Sequence, residues 1–233
     1  MKSKVSLLCT GALIAGLAQS ASAMDFSDSV YGKANVSLGY NYRSWTGDIK
    51  ESMNLIRAEN GTKIYKSSHS IMLGLGYNVY YKANDWAHPF FGLEATGQFD
   101  LKGRTYIDGK VTDENVSKYW EFFRFNGKFG AKFIVNQDLS VSPYATLGFT
   151  VIKTSERVID CESPLECPYW YKYLVGLTTG AGIDVLIKDR FSVGVEYRYV
   201  KVQKKFAIAP VEPVTKQVWE NHNISVKFGY HFL

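Results

Sequence analysis

Strict alternation of apolar and polar residues near the end of the chain is the feature that most limits its fold. Ile224, Val226, Phe228, Tyr230 and Phe232 fall on one face of an extended strand. The intervening residues fall on the opposite face, because successive side chains of a strand point to opposite sides. An apolar face that ends in aromatic residues, opposite a polar face, is typical of a barrel strand whose outer surface contacts lipid.

The same period of two recurs in eight segments that cover most of the chain. An even number of antiparallel strands can close without leaving an edge. Lipid requires this closure, because unpaired backbone groups have no water to bond there. We therefore predict an all-β fold, an eight-stranded antiparallel transmembrane β-barrel with up-and-down meander order. The segments are 30–45, 69–82, 88–102, 119–135, 139–152, 171–187, 191–201 and 218–232.

Residues 1–23 have the composition of a secretory signal peptide. A short basic start precedes the mostly apolar segment 5–17, and residues 21–23 form a small-x-small cleavage site. The apolar run is too short for a membrane-spanning helix. We expect cleavage after Ala23, which leaves residues 24–233 as one outer-membrane β-barrel domain.

The composition fits a barrel better than a protein that binds nucleic acid. The 233 residues are 46% hydrophobic and 15% aromatic, with a mean hydropathy of −0.14, as expected where only every second strand residue contacts lipid. The formal net charge is +5. Because the lysines are spread along the segments and form no basic stripe, we expect no nucleic-acid partner.

The connections between the segments alternate between short and long. Residues 83–87, 136–138 and 188–190 are tight turns. The long connections are 46–68, 103–118, 153–170 and 202–217. Barrels of this kind place short turns in the periplasm and long loops outside the cell, so we expect both termini in the periplasm.

Aromatic residues gather toward both ends of the predicted strands, which predicts two girdles at the membrane interfaces. Those near the long connections are Tyr40, Tyr42, Trp45, Trp120, Phe149, Trp170, Tyr173, Tyr199 and Trp219. Those near the short turns are Trp86, Phe90, Phe91, Phe191, Tyr230 and Phe232.

This layout and the terminal Lys227-x-Gly229-x-x-Phe232 element resemble the small eight-stranded outer-membrane proteins of the opacity, OmpX and OmpA-barrel type, within the porin-family proteins. The resemblance covers residues 24–233. It implies a multi-pass monomer in a Gram-negative outer membrane, in contact with lipid and lipopolysaccharide. It also implies that Lys227, Gly229, Tyr230 and Phe232 form the signal read by the barrel-assembly machinery. Leu233 departs from the pattern, since such chains usually end on the aromatic residue.

Charged residues on the polar face of the segments define the predicted lumen. An eight-stranded barrel is only wide enough for its own side chains, so we expect these charges to pair in one hydrogen-bonded network. The alternative is a narrow, cation-repelling passage, because the positive charges are in excess. The residues are Lys33, Arg43, Lys102, Arg124, Lys128, Lys132, Lys172, Arg198 and Lys227, with Glu94, Asp100, Asp184 and Glu196.

The histidines do not predict catalysis or metal binding. His222 and Ser225 are three residues apart in the last segment and therefore lie on opposite faces. A serine hydrolase of the lipid A deacylase kind has its His and Ser two apart on one face. His69, His88 and His231 have no metal-ligand spacing. We expect no enzyme, no metal and no cofactor.

Two long connections carry residues that the barrel pattern does not require. Cys161 and Cys167 enclose five residues in the third connection, and an even pair in an exported chain predicts a disulfide. The fourth connection is basic and then apolar, and apolar residues at a loop tip indicate a contact site. The contact candidates are Phe206, Ile208, Val211 and Val214.

These features predict a surface antigen or adhesin-like protein that acts through its extracellular loops and contributes structurally to the outer membrane. The expected partners are host or matrix surface molecules. The alternative function is a narrow porin-like or OmpW-like channel for small solutes or apolar molecules.

Overall fold

The computed structural model describes residues 25–49, 63–107, 110–112, 117–157, 169–206 and 215–232. These residues form ten β-strands. Within the described ranges, no helix is long and apolar enough to span a membrane. The strands are β1 (Asp25–Ser27), β2 (Val30–Ile49), β3 (Lys63–Tyr81), β4 (Ala87–Ile107), β5 (Lys110–Thr112), β6 (Ser117–Ile134), β7 (Leu139–Arg157), β8 (Tyr169–Ile187), β9 (Phe191–Phe206) and β10 (Thr215–His231).

Eight of the strands form a closed ring, in the order β2-β3-β4-β6-β7-β8-β9-β10. Each pairs antiparallel with its neighbours, and β10 closes the ring by pairing with both β9 and β2. The three-residue strands β1 and β5 pair with β2 and β4. The predicted fold class is confirmed: the chain is a closed, eight-stranded antiparallel barrel in meander order.

Alternate residues of each strand face outward and into the lumen, as the sequence pattern predicts. Leu38, Val195 and Phe228 point outward and are about half exposed, at 52%, 49% and 57%. Inward residues on the same strands, such as Arg43 and Glu196, are 0% and 1% exposed. The wall therefore presents apolar residues outward, as contact with lipid requires, and encloses polar and charged ones.

The strands are longer than the alternation alone indicated. The eight barrel strands run from 16 to 21 residues, whereas about 9–11 tilted residues cross the hydrocarbon core. β2 continues to Ile49 and β10 begins at Thr215. The connection after β2 and the connection before β10 are therefore shorter than predicted. At the end of the long connections the outward face becomes charged, where Lys201 and Glu220 are 45% and 41% exposed.

A register shift in β4 limits the parity argument. The shift lies opposite His69 and Ser70, where Ser70 pairs with Asp100 and His69 pairs with Lys102. Leu101 has no partner in this ladder, as in a β-bulge. Alternation along β4 is therefore interrupted between Asp100 and Lys102.

Two aromatic residues assigned to the girdles point into the barrel instead. Trp45 is 1% exposed and packs with Ile152, Val200 and Val202 near the long connections, a group we call the upper apolar layer. Phe90 is 8% exposed and packs near the short turns in the lower aromatic layer, which also contains Tyr31, Tyr80 and Tyr144. The girdle assignment was wrong for both, because Trp45 shares the inward parity of Arg43 and Phe90 that of Glu94.

Candidate functional site in the barrel lumen

A cluster of buried charged side chains lies in the middle of the lumen, between the upper apolar layer and the lower aromatic layer. Glu94 of β4 accepts a hydrogen bond from Arg198 of β9, with Nη2 2.6 Å from Oε1. Its other oxygen, Oε2, lies 2.7 Å from Nζ of Lys128 on β6. The Glu94 side chain is 2% exposed and that of Arg198 is 1% exposed. The Glu94 carboxylate thus connects two cationic side chains on separate strands.

A second buried carboxylate, Glu196, extends this cluster to β10. Its Oε1 pairs with Nε of Arg198, and its Oε2 lies 2.5 Å from Nζ of Lys227. The Tyr144 hydroxyl donates to Oε2 at 2.8 Å. Lys227 also lies 3.6 Å from Oε2 of Glu94. Two acids and three bases therefore form one connected cluster, which we call the central network.

Tyr144 adds its ring to the central network. Nζ of Lys128 and of Lys227 lie 4.5 and 5.1 Å from the ring centroid, which is within the range of cation-π attraction. The Tyr144 hydroxyl also lies 3.5 Å from Oδ1 of Asp184. The ring thus joins the network to the lower aromatic layer.

Two glycines on β8 make room for the bulkiest members of the network. A Cβ at Gly180 would lie 2.9 Å from Cγ of Arg198 and 2.5 Å from the Tyr197 carbonyl oxygen. A Cβ at Gly182 would lie 2.6 Å from the Tyr144 ring. These distances are shorter than side-chain carbons adopt, so any larger residue would displace the network.

Charges this deeply buried need partners, because taking an ion out of water costs several kcal/mol. In the central network each carboxylate contacts at least two cations. Arg124 adds a further positive charge that acts on Glu94. The arrangement can hold opposite walls of the barrel together and fill its cross-section.

A second, more exposed ion cluster lies at the end of the barrel that carries the short turns. Asp189, in the turn between β8 and β9, lies 2.6 Å from Nζ of Lys132 on β6 and 3.2 Å from Nζ of Lys33 on β2. Lys188 and Asp189 have φ angles of 51° and 56°, a left-handed conformation that is costly for residues other than glycine. We call Asp189, Lys33 and Lys132 the mouth cluster.

The environment of Asp189 has two opposing effects on its pKa. Burial alone would raise the pKa of this carboxyl, but the hydrogen bonds and charges of Lys132 and Lys33 outweigh it and lower the pKa below its ordinary value. The carboxylate is therefore stabilised in its charged form, although its side chain is 42% exposed.

The structure brings together most of the residues assigned to the lumen. Glu94, Lys128, Glu196, Arg198 and Lys227 meet in the central network. Lys33 and Lys132 join the mouth cluster, and Asp184 approaches Tyr144. Arg43 and Arg124 are 0% and 1% exposed inside the barrel. The side chains of Asp100, Lys102 and Lys172 lie outside the described residues.

Sequence reasoning missed Tyr144 and Asp189 as members of these clusters. Tyr144 has inward parity, and a phenol between charged residues could have been recognised as a hydrogen-bond donor. Asp189 belongs to a turn, where the alternation of a strand gives no direction. Its contact depends on the positive φ angles and on the closure of the ring.

The histidines occupy both faces of the wall. His222 is exposed on the outer face, whereas Ser225 is 3% exposed inside, so the two do not meet. His88 and His231 are buried, and His69 points outward. Among the described residues, no group of three or more His, Cys, Asp or Glu side chains is placed to hold a metal ion.

The remaining predicted residues belong to the third and fourth long connections and to the terminal element. Cys161, Cys167, Ile208, Val211 and Val214 fall outside the described residues, and β9 ends at Phe206. Of the terminal element, Lys227 joins the central network, and Tyr230 is exposed and packs against Phe191 at a ring distance of 5.4 Å. Gly229 pairs with Ser37, and the amide of Phe232 donates to the Ala34 carbonyl at 2.9 Å.

A closed eight-stranded wall with an apolar outer face and a charged, filled interior defines a small transmembrane β-barrel. Residues 9–232 match the family described as outer membrane protein beta-barrel domain. The chain belongs to this family, which together with the fold places it in the outer membrane. No curated protein matches the chain.

Several solved outer-membrane proteins are similar to this chain at low sequence identity. Ail, the attachment invasion locus protein of Yersinia pestis, is 14% identical over 86% of this chain and 99% of its own, with a TM-score of 0.36. OprG from Pseudomonas aeruginosa is 14% identical over 86% and 96%, with a TM-score of 0.45. The protease OmpT from Escherichia coli is 8% identical over 89% and 97%, with a TM-score of 0.39.

Proposed function

We propose that this barrel is a surface-contact protein, antigen-like or adhesin-like, that acts through its long connections while its lumen serves as a rigid core. The observation that carries the proposal is the central network. Glu94, Glu196 and Arg198 hold one another with side chains 0–2% exposed. Because the interior side chains pair with one another, the loops are the part of the barrel that can recognise a partner.

Two further layers support a closed interior. Above the central network lies the upper apolar layer, and below it lie the lower aromatic layer and the mouth cluster. A hydrated ion that crossed the barrel would have to separate buried ion pairs and then enter apolar surroundings without its water, and both steps are costly. We therefore expect the protein to be silent in planar bilayers.

Long strands raise the connections above the membrane. On the wall formed by β9 and β10, the strands continue beyond the charged pair Lys201 and Glu220 to Phe206 and Thr215. The connection between them carries Ile208, Val211 and Val214, which are apolar residues with no role in the alternation. We propose this connection as the main contact site for a host or matrix surface molecule.

Replacement of residues 206–214 with a Gly/Ser linker of equal length tests the proposal. We expect heat-modifiable migration on gels to remain, because the barrel is intact, and binding of whole cells to surface and matrix components to fall. The comparison is a Gly/Ser linker of equal length in place of residues 50–62, another long connection, which should reduce binding less. Undiminished binding together with altered bilayer conductance would show that the segment covers a passage.

One observation favours a narrow channel as the second candidate function. Among the described inward side chains, Lys33, Arg43, Arg124, Lys128, Lys132, Arg198 and Lys227 outnumber Glu94, Asp184 and Glu196. A passage with this charge excess would favour anions. Discrete, anion-selective conductance steps of the purified protein would support the channel, and their absence supports the closed core.

We further propose that the protein is a monomer without catalytic activity, with both termini in the periplasm. At the level of the central network, the described strands of the ring pair on both sides, so this part of the wall offers no edge for pairing with a second copy. His222 and Ser225 are on opposite faces of β10, so the two cannot act as a catalytic pair. Sedimentation in detergent tests the first point, and protease accessibility of a terminal tag in intact cells tests the orientation.

A further inference from the structure

An outward-facing histidine on β3 contacts two tyrosines of the neighbouring strand β2. His69 pairs with Tyr42 in the ladder, and its Nδ1 shares a hydrogen bond of 2.5 Å with the hydroxyl of Tyr40. The imidazole centroid lies 5.7 and 5.3 Å from the rings of Tyr40 and Tyr42. Both tyrosines are nearly half exposed. The ring is thus fixed in place on the outer face of the wall.

The same arrangement occurs a second time on β9 and β10. His222 pairs with Tyr199, and its Nδ1 shares a hydrogen bond of 2.7 Å with the hydroxyl of Tyr197. The imidazole centroid lies 6.1 and 5.3 Å from the rings of Tyr197 and Tyr199. In both cases a histidine is held by two tyrosines at alternate positions of the neighbouring strand.

The two constellations form one surface across four adjacent strands. Tyr42 pairs with both His69 and Ile224, and Ile224 pairs with Tyr197. The histidines therefore stand at nearly the same height on the wall, on β3 and β10. We call this surface the histidine-tyrosine patch; its members are His69, His222, Tyr40, Tyr42, Tyr197 and Tyr199.

The patch marks the boundary between the apolar and charged zones of the outer face. On one side of it the outward residues are apolar, with Leu38, Ile71 and Val195 exposed at 52%, 38% and 49%. On the other side Lys201 and Glu220 lie 3.6 Å apart and are about half exposed. A boundary of this kind corresponds to the depth of lipid head groups.

The hydrogen bonds within the patch use Nδ1 of each histidine, so Nε2 is the second nitrogen of each ring. With a tyrosine hydroxyl donating to Nδ1, the proton of the neutral imidazole is on Nε2. Within the described part of the chain, Nε2 of His69 and of His222 has no hydrogen-bond partner. A protonated imidazole also carries a hydrogen on Nε2, together with a positive charge.

We propose that the histidine-tyrosine patch binds phosphate groups of a glycolipid in the outer leaflet, of the lipopolysaccharide type. Two fixed N–H donors at head-group depth match an anion that is anchored at the same depth by its acyl chains. The nearby Lys201 ammonium adds a positive charge, and the tyrosine rings provide the amphipathic surface that interfacial lipid prefers. The long connections place this end of the barrel at the outer leaflet.

The charged side chains around the two histidines decide whether an anion is favoured at this patch. The groups that face His222 are Tyr197 and Tyr199, with Lys201 and Glu220 beside them. Those that face His69 are Tyr40 and Tyr42. Glu220 is the one acid among these described neighbours. It lies 3.6 Å from Nζ of Lys201 and accepts a hydrogen bond from the Tyr199 hydroxyl.

The test compares lipid A that carries both phosphates with the same lipid after enzymatic dephosphorylation. Binding to the folded, full-length protein is measured in detergent by native mass spectrometry at neutral pH. We expect the phosphorylated lipid to bind at least about tenfold more tightly, the equivalent of one hydrogen bond to a charged group.

Two double variants identify the residues responsible. His69→Phe with His222→Phe keeps the aromatic bulk and should abolish the preference for phosphate. His69→Gln with His222→Gln keeps an N–H donor at each position, so its preference should remain in part. The control, Tyr81→Phe with Tyr230→Phe, changes exposed aromatic residues at the opposite end of the barrel. Heat-modifiable migration verifies folding of each variant.

Three outcomes would overturn the proposal. They are equal binding of the two lipids by the unmodified protein, an unchanged preference in the His→Phe variant, and complete competition by millimolar inorganic phosphate. The last result would show that the acyl chains contribute nothing and that the patch binds a free anion.

Discussion

The central network and the mouth cluster use the same chemistry at different depths. In the centre, Glu94 lies between Arg198 and Lys128 and is 2% exposed. At the mouth, Asp189 lies between Lys132 and Lys33 and is 42% exposed. Each carboxylate bridges two cations from different strands, at distances of 2.6–3.2 Å.

The difference in burial determines what each carboxylate contributes. If Glu94 loses its charge, water cannot reach the cluster to replace it. Lys128 then loses the carboxylate that it contacts, and Arg198 keeps only Glu196. If Asp189 loses its charge, solvent already present at the mouth can partly take its place. We therefore expect the central network to stabilise the fold strongly and the mouth cluster weakly, although their distances are alike.

The largest effect is expected for Glu94→Gln. This change keeps the shape of the side chain and removes the charge that Arg198 and Lys128 require, so the free energy of unfolding should fall by about 3–5 kcal/mol. Reversible urea unfolding in lipid vesicles, followed by tryptophan fluorescence, measures the loss.

Glu220→Gln is the matched control for Glu94→Gln. The chemical change is identical, but Glu220 and Lys201 lie 3.6 Å apart on the outer face with exposed side chains. Exposed pairs of this kind contribute about 0–1 kcal/mol. Equal losses for the two variants would show that burial does not decide the contribution of these pairs.

The next largest effect is expected for Val195→Arg on the lipid face. Val195 is 49% exposed and is adjacent in sequence to the buried Glu196. An arginine at the middle of the bilayer costs about 2–4 kcal/mol, and the cost falls toward the interfaces. The same unfolding assay in vesicles measures it.

Thr46→Arg serves as the control for depth. Thr46 pairs with Glu220 in the ladder, at the charged edge of the outer face, where an arginine costs about 0–1 kcal/mol. A loss at Thr46 as large as that at Val195 would contradict the depth assignment of the wall.

The alternation of side chains along each strand determines which of these features could be predicted from the sequence. Val195 outward and Glu196 inward follow from alternation alone, as does the burial of Lys128 and Lys227. Which acid meets which base does not follow. Glu94 and Arg198 are 104 residues apart, and their contact depends on the register of every intervening strand pair around the ring.

The errors have identifiable physical causes. Trp45 and Phe90 were assigned to girdles from their residue type, although their parity places them inside. Separately from these two errors, the bulge that follows Asp100 interrupts the alternation along β4, because the register shifts there by one residue. Asp189 could not be assigned at all, because a turn with positive φ angles directs its side chain independently of the strand pattern.

A smaller effect is expected for Asp189→Asn. The exposure of the carboxylate limits the loss to about 1 kcal/mol or less. The pH dependence has a definite sign, because the pKa of Asp189 is lowered in the folded protein. Its contribution should be complete above the unfolded value of about 3.9 and disappear as the pH falls through the folded value.

Unfolding curves of both proteins between pH 7 and pH 3 test this assignment. The difference between them should be constant at neutral pH and shrink toward zero in acid. Lys188→Arg in the same turn is the control, since it preserves the charge and the φ requirement. A difference that grows as the pH falls would mean that the Asp189 carboxylate does not stabilise the mouth in its charged form.

The smallest effect on the barrel is expected for the disulfide predicted between Cys161 and Cys167. The bond would shorten the 158–168 connection between β7 and β8 to roughly half. Halving a loop changes its closure free energy by only about 0.6 kcal/mol. Mass spectrometry of the non-reduced protein should show a deficit of two hydrogens, and reduction should barely shift the unfolding midpoint. Two alkylatable thiols in protein from the cell surface would disprove the bond, and a large shift on reduction would mean that this connection supports the barrel as strongly as the lumen does.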